Sequence, residues 1–228
     1  MGLFSAIGGV FSSIVSGISS ALGGAGGAIA ALASAICPGI GLPEILLGIQ
    51  IIGGIVSAIA KALGMTEEET PEELGMAAEE AELKPDNFDT TEKYIAYLRE
   101  EVKKMDKSRL ENLSDIDKVK YQAMGTAITI KGIEEKYGMK MPAEFWLATK
   151  DQKMEAEGVK TFIDSFKKNG VEDMGDMASF LKGEDTKSDV HAVSNSMMEA
   201  LGKMYPDLSK DELEDKLTEM ENKVKEAE

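Results

Sequence analysis

The sequence predicts an all-α fold: an apolar N-terminal helical hairpin followed by a C-terminal multi-helix domain. Three observations carry this reading. Residues 1–64 consist almost wholly of Gly, Ala, Ser, Ile and Leu, with Glu44 the only charged side chain before Lys61. Helix-capping signals recur along the rest of the 228 residues. No stretch keeps the period-two alternation of a strand for long; Thr126–Ile130 comes nearest and sits inside a helical pattern.

The first helix is expected over Leu3–Leu22. Its bulky side chains Phe4, Ile7, Phe11, Ile14 and Ile18 alternate three and four apart, as a helix seam does. A second stripe, Ser5, Gly9, Ser13, Gly17, Ala21 and Ala25, repeats every four residues and is small throughout, which lets helix backbones approach closely in a membrane. Gly23, Gly24, Gly26 and Gly27 then form a hinge. A shorter apolar piece, Ala28–Cys37, leads into the turn Pro38-Gly39-Ile40-Gly41-Leu42-Pro43.

Pro43 and Glu44 suit a helix N-terminus. The helix Glu44–Leu63 carries Ile45, Leu46, Leu47, Ile49, Ile51, Ile52, Ile55, Val56 and Ile59 and is the strongest transmembrane candidate in the chain. A span needs roughly 20 mostly apolar residues. No basic region precedes Lys61, so a secretion signal is not expected. Ala6 stands where a myristoylation motif wants Ser or Thr.

The composition then changes abruptly. Between Met65 and Leu83 there are eight Glu and neither Lys nor Arg, which reads as an acidic linker or a solvated short helix. From residue 84 to 228 a water-soluble helical domain is expected. Asp89 with Glu92 looks like a capping box, and Ser108 with Glu111 and Ser114 with Asp117 mark a restart that runs to Tyr137, with Gly138 as cap. Pro142 opens a helix through Phe145, Trp146, Phe162, Ile163 and Phe166, with Gly158 as a kink and Lys167–Gly170 as its end. A short helix around Met174–Lys182 follows, then a seam of Val190, Val193, Met197, Leu201 and Met204 stopped by Pro206. Ser209 with Glu212 caps the last helix, where Leu213, Leu217, Met220 and Val224 fall at heptad spacing and predict an oligomer seam.

Chemistry is sparse. The single histidine, His191, has Asp189 two residues away, where helix neighbours do not face each other. It reads as a surface or cap residue, with no partner for a metal and no placed nucleophile. Cys37 is alone and cannot form an intramolecular disulfide. Gly23–Gly27 is not followed by the Lys-Ser/Thr of a P-loop. No catalytic, cofactor-binding or metal-ligating residues are assigned, and no enzyme is expected. Net charge is −16, so the acidic domain is not expected to bind nucleic acid directly.

The opening Gly2-Leu3-Phe4-Ser5-Ala6-Ile7-Gly8-Gly9-Val10-Phe11 resembles the Gly-rich fusion peptides of class I viral fusion proteins. The same opening, a bulky pair followed by an Ala/Gly/Ser-rich helix, is similar to bacteriophage DNA-pilot and ejection proteins. The second resemblance implies a virion-internal protein that helps DNA cross a host envelope, with a lipid bilayer, other virion proteins and further copies of itself as partners, located in the virion or the host membrane. Against fusion glycoproteins, the chain lacks disulfides and a C-terminal anchor. Two other readings stand beside it: a structural virion or assembly protein whose apolar arm is buried among neighbouring subunits, and a pore-forming toxin or holin-like protein.

Overall fold

The computed structural model describes residues 42–226. Among these, ten α-helices and one 3₁₀ turn follow one another with no strand; the nearest thing to a sheet is an isolated bridge between Lys140 and Asp173. The all-α reading holds for the described residues. They fall into two compact units, residues 42–136 and residues 137–226. The division falls at the end of a long helix, between Lys136 and Tyr137; the positions 64/65 and 83/84, where the composition changes, lie within the first unit.

The first unit holds α1 (Leu42–Ala62), α2 (Pro71–Glu80), α3 (Thr91–Lys104), α4 (Ser108–Glu111) and most of α5 (Asp115–Tyr137). Helix α1 is amphipathic despite its composition. Ile49, Ile52, Val56 and Ile59, spaced three, four and three, are at most 1% exposed. Gln50, Gly54, Ala58 and Lys61 lie on the exposed side. Gly53 faces inward: a Cβ there would stand 2.4 Å from Gln122 Nε2 and 2.9 Å from Thr126 Oγ1. The helix ends in a Schellman turn, with Gly64 at φ 72° and the Met65 amide donating to the Ala60 carbonyl at 2.9 Å.

The acidic stretch is neither a linker nor a solvated helix. Thr70 caps α2 in a full capping box with Glu73, and Leu74, Gly75, Met76, Ala77 and Ala78 are buried. Glu67, Glu69, Glu73, Glu79 and Glu80 are paired with cations from later in the chain. Arg99 reaches Glu67 and Glu69, Lys107 reaches Glu73 at 2.7 Å, Lys120 reaches Glu79, and Arg109 reaches Glu80 at 2.5 Å. A run of like charge in the sequence is thus one half of an ion-pair set whose other half arrives some thirty to forty residues later.

The cap of α3 lies one residue beyond the expected Asp89: Thr90 Oγ1 accepts from the Lys93 amide, while Asp89 pairs with the Lys93 ammonium at 2.6 Å. Ser114 does cap as expected: its Oγ accepts from the Asp117 amide at 3.2 Å and donates to the Asp117 carboxylate at 2.6 Å.

The second unit holds α6 (Ala143–Asp151), α7 (Ala156–Lys168), α8 (Gly175–Lys182), α9 (Val190–Met204) and α10 (Lys210–Glu226). Helices α7 and α9 form the main pair, burying Val159, Phe162, Ile163 and Phe166 on one side and Val193, Met197, Ala200 and Leu201 on the other. Trp146 is fully buried and its indole N–H donates to the Met141 carbonyl at 3.0 Å, so the largest side chain leaves no polar atom unpaired.

The single helix expected over 142–168 is two helices. The break falls at Lys153, which adopts φ 53°, and the Met154 amide closes back on the Thr149 carbonyl at 3.0 Å. Gly158 is a contact site, not a kink: a Cβ there would stand 3.0 Å from Met204 Cε. Gly138 (φ 67°) and Gly170 (φ 75°) close α5 and α7 in the left-handed conformation, as their positions predicted.

Candidate functional site

The outward face of α1 is the most distinctive surface among the described residues. Leu47 is 58% exposed and Ile51 44%, and they continue along one side of the helix into the small residues Gly54 and Ala58. Nothing lies within 4 Å of where a Cβ on Gly54 would stand. Beyond Ile51 this face becomes the floor of a groove of about 570 Å³, lined by Gln50, Gly54, Ser57, Ala58 and Lys61 of α1, by residues 66–72 and by Gln122. The floor is small and uncharged; the rim carries Glu67 and Glu69, both paired with Arg99, and Glu68 and Glu72 against Lys61.

The rim carboxylates are not equivalent. Burial pushes Glu69 upward, but the amides of Glu67 and Glu69 and the Arg99 guanidinium outweigh it, leaving the group below the ordinary carboxylate range. Glu72 is raised, because burial exceeds the opposing field of Lys118. The groove therefore offers amide and hydroxyl groups over a narrow apolar floor. That chemistry suits an uncharged helix presenting small or apolar side chains.

A second cavity, of about 530 Å³, lies in the second unit. Its wall carries Lys153, Lys203, Lys216 and Lys223, yet Lys216 and Lys223 both bond Glu219, at 3.3 and 2.7 Å, and Lys203 pairs with Glu199 at 2.8 Å. Lys216 also lies 5.5 Å from the Tyr205 ring centroid. Charge on that wall is largely compensated within the unit, and it holds no nucleophile set beside a base.

Of the residues singled out in the sequence, Phe4, Ile7, Phe11, Ile14, Ile18, Gly9, Gly17 and the hinge Gly23, Gly24, Gly26 and Gly27 lie outside the described residues. Ile45 and Leu46 fall in the first turns of α1. Ile49, Ile52, Val56 and Ile59 are core and Ile55 is half-buried, so the expected bilayer span of Glu44–Leu63 is instead a packed helix of the first unit. No helix among the described residues is long and apolar enough to cross a membrane. The heptad seam is used within the unit as well. Met220 and Val224 are buried, α10 packs on α9, α8 and α6, and Gln152 donates to the Met220 carbonyl at 2.8 Å. Leu213 and Leu217 remain half-exposed. His191 is exposed beside Asp189, whose carboxylate caps α9 by accepting from the His191 and Ala192 amides.

The groove was missed in the sequence because its residues sit inside an apparently uniform apolar run. The signal was present: Gln50, Gly54, Ser57 and Lys61, spaced four, three and four, form a stripe opposite the isoleucines.

No group of three His, Cys, Asp or Glu among the described residues could hold a metal ion. No protein-family model matches the chain, and neither a curated protein nor a solved structure is found to be similar to it.

Proposed function

We propose that this chain is a membrane-interacting protein, of the virion-associated kind that aids genome delivery, which inserts residues 2–41 into a host membrane while its helical body from Leu42 onward stays in water. The observation that supports this division is the burial of α1. With Ile49, Ile52, Val56 and Ile59 committed to the first unit, drawing α1 into lipid would strip the cover from the side chains they pack against, at about 1.5–3 kcal/mol for each large apolar side chain left facing water. The apolar material left for a bilayer is the arm, which has no charged residue at all. Its segment Leu3–Leu22 is about 30 Å long as a helix, the thickness of a hydrocarbon core. Copies associate in the membrane through Ser5, Gly9, Ser13, Gly17 and Ala21. The body, which carries every charged residue and so the whole net charge of −16, is held off anionic lipid and nucleic acid. The role is insertion, not catalysis.

The test is flotation of the full chain with neutral phosphatidylcholine vesicles. The protein is expected to float, and residues 3–22 to become protected from protease. A chain that stays at the bottom of the gradient at all lipid concentrations would overturn the reading in favour of an arm buried among subunits.

A further inference from the structure

We infer that the groove beside α1 is a binding site for an extended, uncharged peptide segment, held through its main chain by Gln122 and Thr66. Gln122 is 6% exposed and Thr66 5%, so both belong to the interior. Buried polar groups are almost always hydrogen-bonded. Among the described residues, however, neither the Gln122 carboxamide nor the Thr66 hydroxyl has a partner. The nearby Thr126 hydroxyl donates instead to the Gln122 main-chain carbonyl, at 2.7 Å. Neither group is sealed away. The sealed, unpartnered side-chain atoms among the described residues are the Tyr94 hydroxyl and Asp151 Oδ1, so the Gln122 and Thr66 groups open onto the groove they line. Gly53 makes room for this: a Cβ there would collide with Gln122 Nε2.

The chemistry of these groups selects the occupant. A carboxamide both donates and accepts, and so does a hydroxyl; a peptide main chain offers one donor and one acceptor per residue. A helix would fit the small floor of Gly54 and Ala58 by shape, but its N–H and C=O groups are paired along its own length. It would leave Gln122 and Thr66 as they are, whereas an extended chain brings them partners. Among the described residues no aromatic ring lines the groove, so it lacks the platform on which a nucleobase stacks. Glu67 and Glu69 are tied to Arg99, and Lys61 stands against Glu68 and Glu72. No charge of one sign dominates, which matches a neutral occupant. Size agrees as well. The groove of about 570 Å³ lies within the roughly 300–1,000 Å³ of ligand sites. From Gln50 to Lys61 the helix runs about 16 Å, the length of about five extended residues. Ile51, exposed at one end, offers apolar contact to a side chain.

The experiment uses the full chain and a pool of acetylated, amidated pentapeptides built from Ala, Ser, Val, Ile and Leu. Binding is followed by saturation-transfer NMR and by hydrogen exchange. Members of the pool are expected to receive saturation and to slow exchange in residues 66–72. The tightest member is then titrated into Gln122→Met, Thr66→Val and Gly54→Leu. Each variant is expected to bind it at least tenfold more weakly, the first two by removing the bonding groups and the third by filling the slot. Thermal melts guard against loss of folding. Because no bond within the protein is lost, Gln122→Met and Thr66→Val should melt at or above the wild-type temperature. Gly54→Leu, with nothing within 4 Å of its Cβ, should fold as wild type does. Lower melting of both Gln122→Met and Thr66→Val would mean that the two groups are bonded inside the protein, and would overturn the site. So would peptide affinity that none of the three variants changes. Silence of the whole pool would leave the two groups to water alone and equally refute the proposal. Inorganic phosphate and glucose are run beside the pool; binding of either that Gln122→Met abolishes, with no peptide bound, would assign the groove to that ligand instead.

Discussion

Gly75 of α2 lies so close to Tyr121 of α5 that a Cβ would stand 2.0 Å from the Tyr121 carbonyl oxygen. The contact is reciprocal. A Cβ on Gly125 would stand 1.9 Å from the Pro71 carbonyl oxygen, and both pairs are four residues apart, so 71 meets 125 and 75 meets 121. The two helices cross antiparallel with glycine at each point of backbone contact. Neither backbone can yield as a flexible side chain would. Gly75→Ala and Gly125→Ala are each expected to destabilise the first unit by about 1–3 kcal/mol, read as a lower denaturation midpoint at unchanged m-value.

Ile51 and Ile52 are neighbours with opposite surroundings, 44% and 0% exposed. Ile52→Lys is expected to abolish cooperative melting of the first unit, because it buries an unpaired charge. Ile51→Lys is expected to change stability by under about 0.5 kcal/mol. Thermal melts of the two variants side by side check this.

These contrasts show how far the sequence could be read. The three-four-three spacing of Ile49, Ile52, Val56 and Ile59 was visible, and so were the caps at Ser114, Gly138, Gly170 and Ser209, because each is set by residues within one helical turn. What could not be read depends on distant partners. Nothing near Glu79 or Glu80 announces Lys120 or Arg109, so the acidic run looked solvated. Nothing near Met220 shows that α6, α8 and α9 will cover it, so its heptad spacing looked available to another chain. The break at Lys153 was hidden for a different reason: the left-handed turn there uses lysine where glycine or asparagine is the usual marker.

The Tyr94 hydroxyl is buried without a hydrogen-bond partner, and burial pushes its pKa up to about 12. Removing an unsatisfied polar atom while keeping the ring should cost nothing. Tyr94→Phe is expected to leave the melting temperature unchanged or raise it, by up to about 1 kcal/mol in stability; a clear loss would mean the hydroxyl is in fact bonded.

Glu199 joins two helices through Lys168 of α7 and Lys203 of α9, both at 2.8 Å. Bonds from Lys168 and then Lys203 hold its carboxyl down to about 2. The folded value is depressed, so the stabilisation is present above the ordinary carboxylate value near 4.5 and is lost as pH falls through that value towards 2. With 23% of the side chain exposed, screening limits the contribution to about 1 kcal/mol. Stability of wild type relative to Glu199→Gln, followed from pH 6 to pH 2, is expected to shrink by that amount.

The division of labour between arm and body is tested most directly by vesicle flotation of two full-length variants, Phe11→Lys and Ile51→Lys, each compared with wild type on neutral phosphatidylcholine. A lysine in the middle of an inserted segment costs about 2.5–3.5 kcal/mol, so Phe11→Lys should weaken vesicle binding about a hundredfold while the melts of residues 42–226 stay where they were. Ile51→Lys should bind at least as well as wild type. Full binding by Phe11→Lys together with lost binding by Ile51→Lys would make α1 the membrane element and contradict the account.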